Sequence, residues 1–203
     1  MQFSREGRLV AGVVAAVAWV GLGLYVVAES AGLKGDWIGA LWLNAGFLTD
    51  LSNLSLAIVM TGVALGVRLL SAPHVVGWVT AVIATVGVGF WLIGGSLIVG
   101  ETPIESFLLH AVTPWAGLAF WLIFAPKGGL RWRRALIWLA WPALYFTYAM
   151  TRGALSGEYA YPFLDPQTDG IAGAMMGIGK IVAVYVAWCL VLLRLDRMMS
   201  RKR

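Results

Sequence analysis

Long apolar runs, separated by short connections that carry charge, glycine or proline, set the pattern of this chain. Six such runs stand out, at residues 9–28, 47–70, 75–99, 104–124, 135–151 and 171–193. Each is about 20 residues, long enough as a helix to cross a hydrocarbon core of about 30 Å. None alternates with the two-residue period of a half-buried strand. The pattern predicts an all-α fold: a polytopic membrane protein forming a six-transmembrane-helix bundle, with residues 1–203 as one transmembrane domain. The first run follows Arg5 and Arg8, but it is too long for a signal-peptide core. No small-residue cleavage site comes after it, so it reads as a retained span.

Composition removes the soluble alternatives. Only 12% of the residues are charged and 60% are hydrophobic. A soluble domain carries about 25% charged residues, so this chain cannot cover a water-facing surface. The net charge of +5 would admit a nucleic-acid ligand were it gathered on one face, but its distribution follows membrane topology. With the N-terminus cytoplasmic, one side holds Arg5, Arg8, Arg68, Lys127, Arg131, Arg133, Arg134, Arg194, Arg197, Arg201, Lys202 and Arg203. The other holds Lys34 and Arg152 against Glu29, Asp36, Glu101, Glu105, Glu158, Asp165 and Asp169. Basic residues concentrate on the cytoplasmic side of membrane proteins, so both termini are expected inside. Nucleic acid is excluded as a partner. Short loops and compact ends fit a bacterial cytoplasmic (inner) membrane.

Polar residues inside the spans carry the candidate chemistry, because an ionisable side chain in hydrocarbon is costly and marks function by default. At a rise of about 1.5 Å per residue, Thr49, Asp50, Asn53 and His110 fall within about 9 Å of the outer helix ends. Tyr148 and Arg152 close the fifth span at a similar level, and Lys180 lies about 14 Å down the sixth. Thr49 and Asn53, spaced i, i+4, share a helix face. A one-sided collection of this kind points to a single cavity opening outward. Structural readings stand beside it: Asp50 pairing with Lys180 or Arg152, Asn53 tying two helices, Tyr148 and Arg152 anchoring at the interface.

The only other histidine, His74, belongs at the opposite membrane face. No haem or metal site is therefore expected, and no cofactor. Cys189 is alone and excludes an internal disulfide.

A hydroxyl beside an imidazole supports acyl transfer: Thr49 attacks an ester carbonyl while His110 takes its proton and passes it to the leaving alcohol. Asp50 or Asn53 is placed to orient the imidazole or steady the oxyanion, and Arg152 or Lys180 to receive a fatty-acid carboxylate. Two rivals remain open. One is a small-molecule or proton-coupled transporter in which Asp50, His110 and Lys180 titrate in relay. The other is a non-catalytic lipid-binding protein.

Three local motifs occur in order: Phe47-Leu-Thr49-Asp-Leu-Ser-Asn53, then Leu109-His110 with Pro114, then Tyr161-Pro-Phe-Leu-Asp165. The combination resembles the androgen-induced protein and androgen-dependent TFPI-regulating protein family, in particular its bacterial branch. That resemblance implies a multipass membrane hydrolase of lipid esters, such as fatty acid esters of hydroxy fatty acids. It further implies Thr49 as the nucleophile, His110 as its partner, and a membrane lipid as substrate. Met150, Thr151 and Arg152 stand where the animal proteins carry histidines, which leaves the substrate open.

Overall fold

The computed structural model describes residues 3–92, 95, 97 and 102–201. The end of the third predicted span falls partly outside these, as do Glu101, Lys202 and Arg203. Among the described residues the structure is a bundle of α-helices. Helix α1 (Arg5–Gly32) leads into a short α2 (Trp37–Asn44), then α3 (Leu48–Leu65) and α4 (Pro73–Leu92). A composite helix follows: α5 (Ile104–Phe107), a π-helical turn (Leu108–Val112) and α6 (Thr113–Phe124). Next come α7 (Trp132–Ala135), a 3-10 turn (Leu136–Leu139) and α8 (Ala140–Ser156), and finally α9 (Pro166–Ser200).

Five of these helical segments are long and apolar enough to cross a membrane by length and composition. Large apolar side chains point outward, Ile38 and Leu155 being 81% and 84% exposed, as expected of helices whose solvent is lipid.

Helix boundaries follow local chemistry. Ser4 caps α1, its hydroxyl accepting from the Gly7 N–H at 3.1 Å. Helix α3 stops at Leu65, short of the predicted residue 70, because Gly66 turns left-handed (φ 75°). The outer connection expected between residues 29 and 46 contains α2, started by the Asp36 carboxylate on the Gly39 N–H at 2.8 Å. At the head of α9, Asp169 and Gly170 leave helical geometry, so the continuous helix starts at Ile171, where the sixth run was placed.

Helix α4 is central. Its Val79 and Ile83 join Leu56 and Met60 of α3 and Phe120 and Trp121 of α6 in one buried cluster. Two prolines interrupt backbone hydrogen bonding, and a side chain from another helix repairs each gap. Pro142 has no N–H to give the Trp138 carbonyl four residues back, and the Tyr185 hydroxyl of α9 donates to it at 2.9 Å. Pro114 creates the second gap, and that one shapes the site.

Candidate functional site

Within the π-turn, the Thr113 N–H bonds the Leu108 carbonyl, five residues back. Continued one residue, that register would have residue 114 donate to Leu109. Residue 114 is proline and has no N–H, so the Leu109 carbonyl is left for other donors. Asn53 supplies one: its Nδ2 donates to Leu109 O at 3.1 Å and to Thr49 O of its own helix at 2.9 Å. The Thr113 hydroxyl donates to Asn53 Oδ1 and also lies 3.3 Å from Leu109 O. Asn53 is fully buried and clamps the first turns of α3 onto the π-turn. Gly21 and Gly87 let the neighbouring helices close around it. A Cβ on either would stand 2.8 Å from Leu109 Cδ2 or Pro114 Cβ respectively.

The clamp brings His110 to Thr49. Thr49 Oγ1 lies 3.2 Å from His110 Nε2. The other ring nitrogen, Nδ1, lies 3.0 Å from the Ser106 carbonyl and 3.3 Å from its hydroxyl. A carbonyl only accepts, so Nδ1 carries the proton and Nε2 offers a lone pair to the threonine hydroxyl. The ring packs against Phe90 with centroids 4.3 Å apart.

Thr49 differs from its neighbours in where its hydroxyl goes. Thr61, Thr80 and Thr85 donate to the carbonyl four residues earlier in their own helices, at 2.7–2.8 Å. For Thr49 that carbonyl belongs to Ala45, outside α3, and it accepts from the Tyr148 hydroxyl at 3.0 Å.

Tyr161 completes the arrangement and was not among the predicted site residues. Its hydroxyl accepts from the Leu48 N–H at 3.0 Å, doing the work of an N-cap at a helix whose Phe47 cap has no polar side chain. Its ring meets Phe47 edge-on and stacks on Phe163. Burial pushes the Tyr161 phenol up to about 12, against the donors at the start of α3, which act the other way. It therefore keeps its proton at neutral pH. The only sequence signal was its place in the aromatic-proline motif.

Thr49, His110 and Tyr161 line a cavity of about 40 Å³, with Phe90, Phe146 and Phe163 among its walls. That is room for about one water molecule. The remaining predicted residues lie elsewhere. Asp50, on the adjacent face of α3, lines a separate cavity toward α1 and α2, with its Oδ1 buried and without a hydrogen-bond partner. Tyr148 and Arg152 line a lateral groove on α8, where the Arg152 guanidinium sits 4.2 Å over the Trp42 ring. Lys180 is exposed on α9 and is not among the residues around Thr49 and His110. The shared depth read from sequence thus resolves into four distinct places. Among the described residues there is no group of His, Cys, Asp or Glu fit to hold a metal ion.

Compared with known proteins, the chain matches no family model, no curated protein and no solved structure.

Proposed function

We propose that this chain is a six-span protein of a bacterial cytoplasmic membrane, with both termini inside, that hydrolyses lipid esters through Thr49 and His110. The span to be added to the five long helices is the fifth predicted run, residues 135–151, which lies within the stretch formed by α7, the 3-10 turn and α8, a stretch that reaches the length a bilayer requires. The positive-inside distribution of charge supports the orientation.

The observation that carries the chemistry is the relay from Thr49 Oγ1 to His110 Nε2 and from Nδ1 to the Ser106 carbonyl. A nucleophile within reach of a base, with the base held in its useful tautomer by a third group, is the arrangement activated hydroxyls need. Thr49 Oγ attacks the ester carbonyl carbon and its proton passes to Nε2. The tetrahedral oxyanion is met by the Tyr161 O–H, beside the positive end of α3. Collapse breaks the bond to the alcohol, which leaves with the proton from Nε2. Water, deprotonated by His110, then attacks acyl-Thr49, releasing the fatty acid and restoring the threonine hydroxyl.

The aromatic walls around Thr49 and His110 support an ester with long apolar chains as the substrate, entering sideways from the outer leaflet with those side chains moving aside to admit it. A transporter reading has less support, because the hydroxyls deeper in α3 and α4 are spent on their own helices rather than lining a polar path.

The test is covalent labelling of the purified protein with a lipophilic fluorophosphonate. Parent protein should label, and folded Thr49→Ala and His110→Ala proteins should not. Labelling that persists without Thr49 would end the hydrolase reading.

A further inference from the structure

The lateral groove on α8 encloses about 730 Å³, with Trp42 of α2 at its edge. Ala143 and Leu144 line one end of it, and Thr147, Thr151 and Arg152 follow towards the helix end at Ser156. The two threonines are exposed and Arg152 is half-buried, so all three present surface to the groove. Arginine stays charged at any physiological pH, yet Arg152 forms no ion pair with a carboxylate among the described residues. It is nevertheless held in place, its guanidinium stacked 4.2 Å over Trp42 and its Nη1 closed in against Gly46. The threonines are unusual in the same direction. Hydroxyls on helices commonly donate to the carbonyl four residues back, as those of Ser55, Thr61, Thr80 and Thr85 do. The hydroxyls of Thr147 and Thr151 have no hydrogen-bond partner among the described residues. Polar groups left unpaired beside hydrocarbon are costly, and here two of them stand one turn apart next to an unneutralised cation.

These groups select the ligand by charge and by spacing. Arg152 repels an ammonium head and is left unneutralised by a neutral glyceride. A fatty-acid carboxylate would pair with Arg152 and reach Thr151, but it offers nothing to Thr147, about 6 Å further along the helix. A phosphoglyceride meets all three. Its phosphate oxygens suit the guanidinium fork and the Thr151 hydroxyl, and its glycerol carries an ester carbonyl, a plain acceptor, on to Thr147. The chains then lie over Leu144 and Ala143, away from the helix end, as they must in a bilayer. We propose that the α8 groove binds one phosphoglyceride, with its phosphate on Arg152 and Thr151, an ester carbonyl on Thr147 and an acyl chain along Leu144 and Ala143. The groove shares no lining residue with the Thr49–His110 cavity, so binding there is tested without reference to turnover.

The experiment uses the whole protein in maltoside micelles, which bring no phosphate. The probe is a phosphatidylglycerol carrying a photoreactive diazirine in one acyl chain, irradiated immediately after mixing. Its controls are the matching diazirine fatty acid, the diacylglycerol and the diether phosphatidylglycerol. We expect saturable labelling that maps to residues 143–147, about tenfold stronger than for the acid or the diacylglycerol. Arg152→Gln should lower it about tenfold. Thr147→Val should weaken labelling by the diester lipid and leave the diether unchanged, because an ether has no carbonyl to accept from the hydroxyl. Ala143→Phe fills the groove from an exposed position and should abolish labelling with the polar groups intact. Labelling that does not saturate, that is as strong with the acid or the diacylglycerol, or that survives in folded Arg152→Gln or Ala143→Phe would overturn the proposal.

Discussion

Asn53→Leu tests whether the site depends on the clamp between α3 and the π-turn. Leucine matches asparagine in size, so the core stays filled while three hydrogen bonds disappear: to Thr49 O, to Leu109 O and from Thr113. The Thr49 carbonyl lies inside α3 and keeps its helical N–H partner. The Leu109 carbonyl is more exposed to the loss, because Pro114 cannot serve it and only Thr113 remains, at 3.3 Å. Side-chain hydrogen bonds inside membrane proteins average about 0.6 kcal/mol, and an orphaned buried group costs about 1–3 kcal/mol. The expected destabilisation is therefore about 2 kcal/mol, read by reversible unfolding in mixed micelles. The effect on turnover should be larger in proportion, since His110 follows Leu109 directly and a displacement of about 1 Å costs about 100-fold in rate. Pro114→Ala supplies the decisive comparison. An alanine there restores an N–H to the turn, so Asn53→Leu should cost less in that background, with a coupling of at least about 0.5 kcal/mol. Additive effects, or unimpaired ester hydrolysis by Asn53→Leu, would show that the proline gap is not what Asn53 repairs.

Three further results are expected. Tyr161→Phe removes both the proposed oxyanion donor and the acceptor for the Leu48 N–H. Turnover should fall about 100-fold or more and stability by about 0.5–2 kcal/mol; a loss of stability with turnover intact would leave Tyr161 only a cap. The raised Tyr161 phenol has a signed consequence, because its folded value of about 12 exceeds the unfolded value of about 10. Its contribution to stability is present below pH ~10 and fades as pH rises through ~12, so alkaline melting curves should fall more steeply for parent than for Tyr161→Phe. Ser106→Ala should retain at least about a third of parental turnover, since the backbone carbonyl, not the side chain, holds Nδ1 in the closer contact; a collapse of activity would assign the orienting role to the hydroxyl.

Much of the fold was legible because its determinants are one-dimensional. Apolar run length predicts the long helices, and Gly170, which closes the outer connection, lies where the continuous part of α9 begins; the second run was carried through Gly66 to residue 70, because a single glycine inside an apolar run does not announce the left-handed turn that ends α3 at Leu65. Helix α2 escaped because eight residues bounded by Asp36 and Asn44 are too few to register as a span and read as loop. The π-turn escaped because nothing in Leu108–Val112 distinguishes it from ordinary helix. Only the placement of Pro114 against an asparagine on another helix marks it, and that pairing is tertiary.

The candidate site divides along the same line. Depth in a bilayer follows from counting residues, and counting put Thr49, Asp50, Asn53 and His110 at one level. Direction around the helix axis is a different coordinate. In a water-soluble helix the apolar stripe reports it; a helix that is apolar all round carries no such stripe. The i, i+4 relation of Thr49 and Asn53 was a safe inference because it needs no outside reference, and both residues do face the π-turn. Asp50 sits one residue from Thr49 and so about 100° away, enough to carry it from the imidazole to the chamber behind α1 and α2. Lys180 depended on the azimuth of a different helix, and it projects from the bundle. Tyr161 needed the fold of a loop that lies 113 residues from its partner Leu48. In an apolar bundle, then, sequence spacing ranks which polar residues share a level. Only gaps in the backbone, such as those at Pro114 and Pro142, reveal which of them have been recruited to fixed partners.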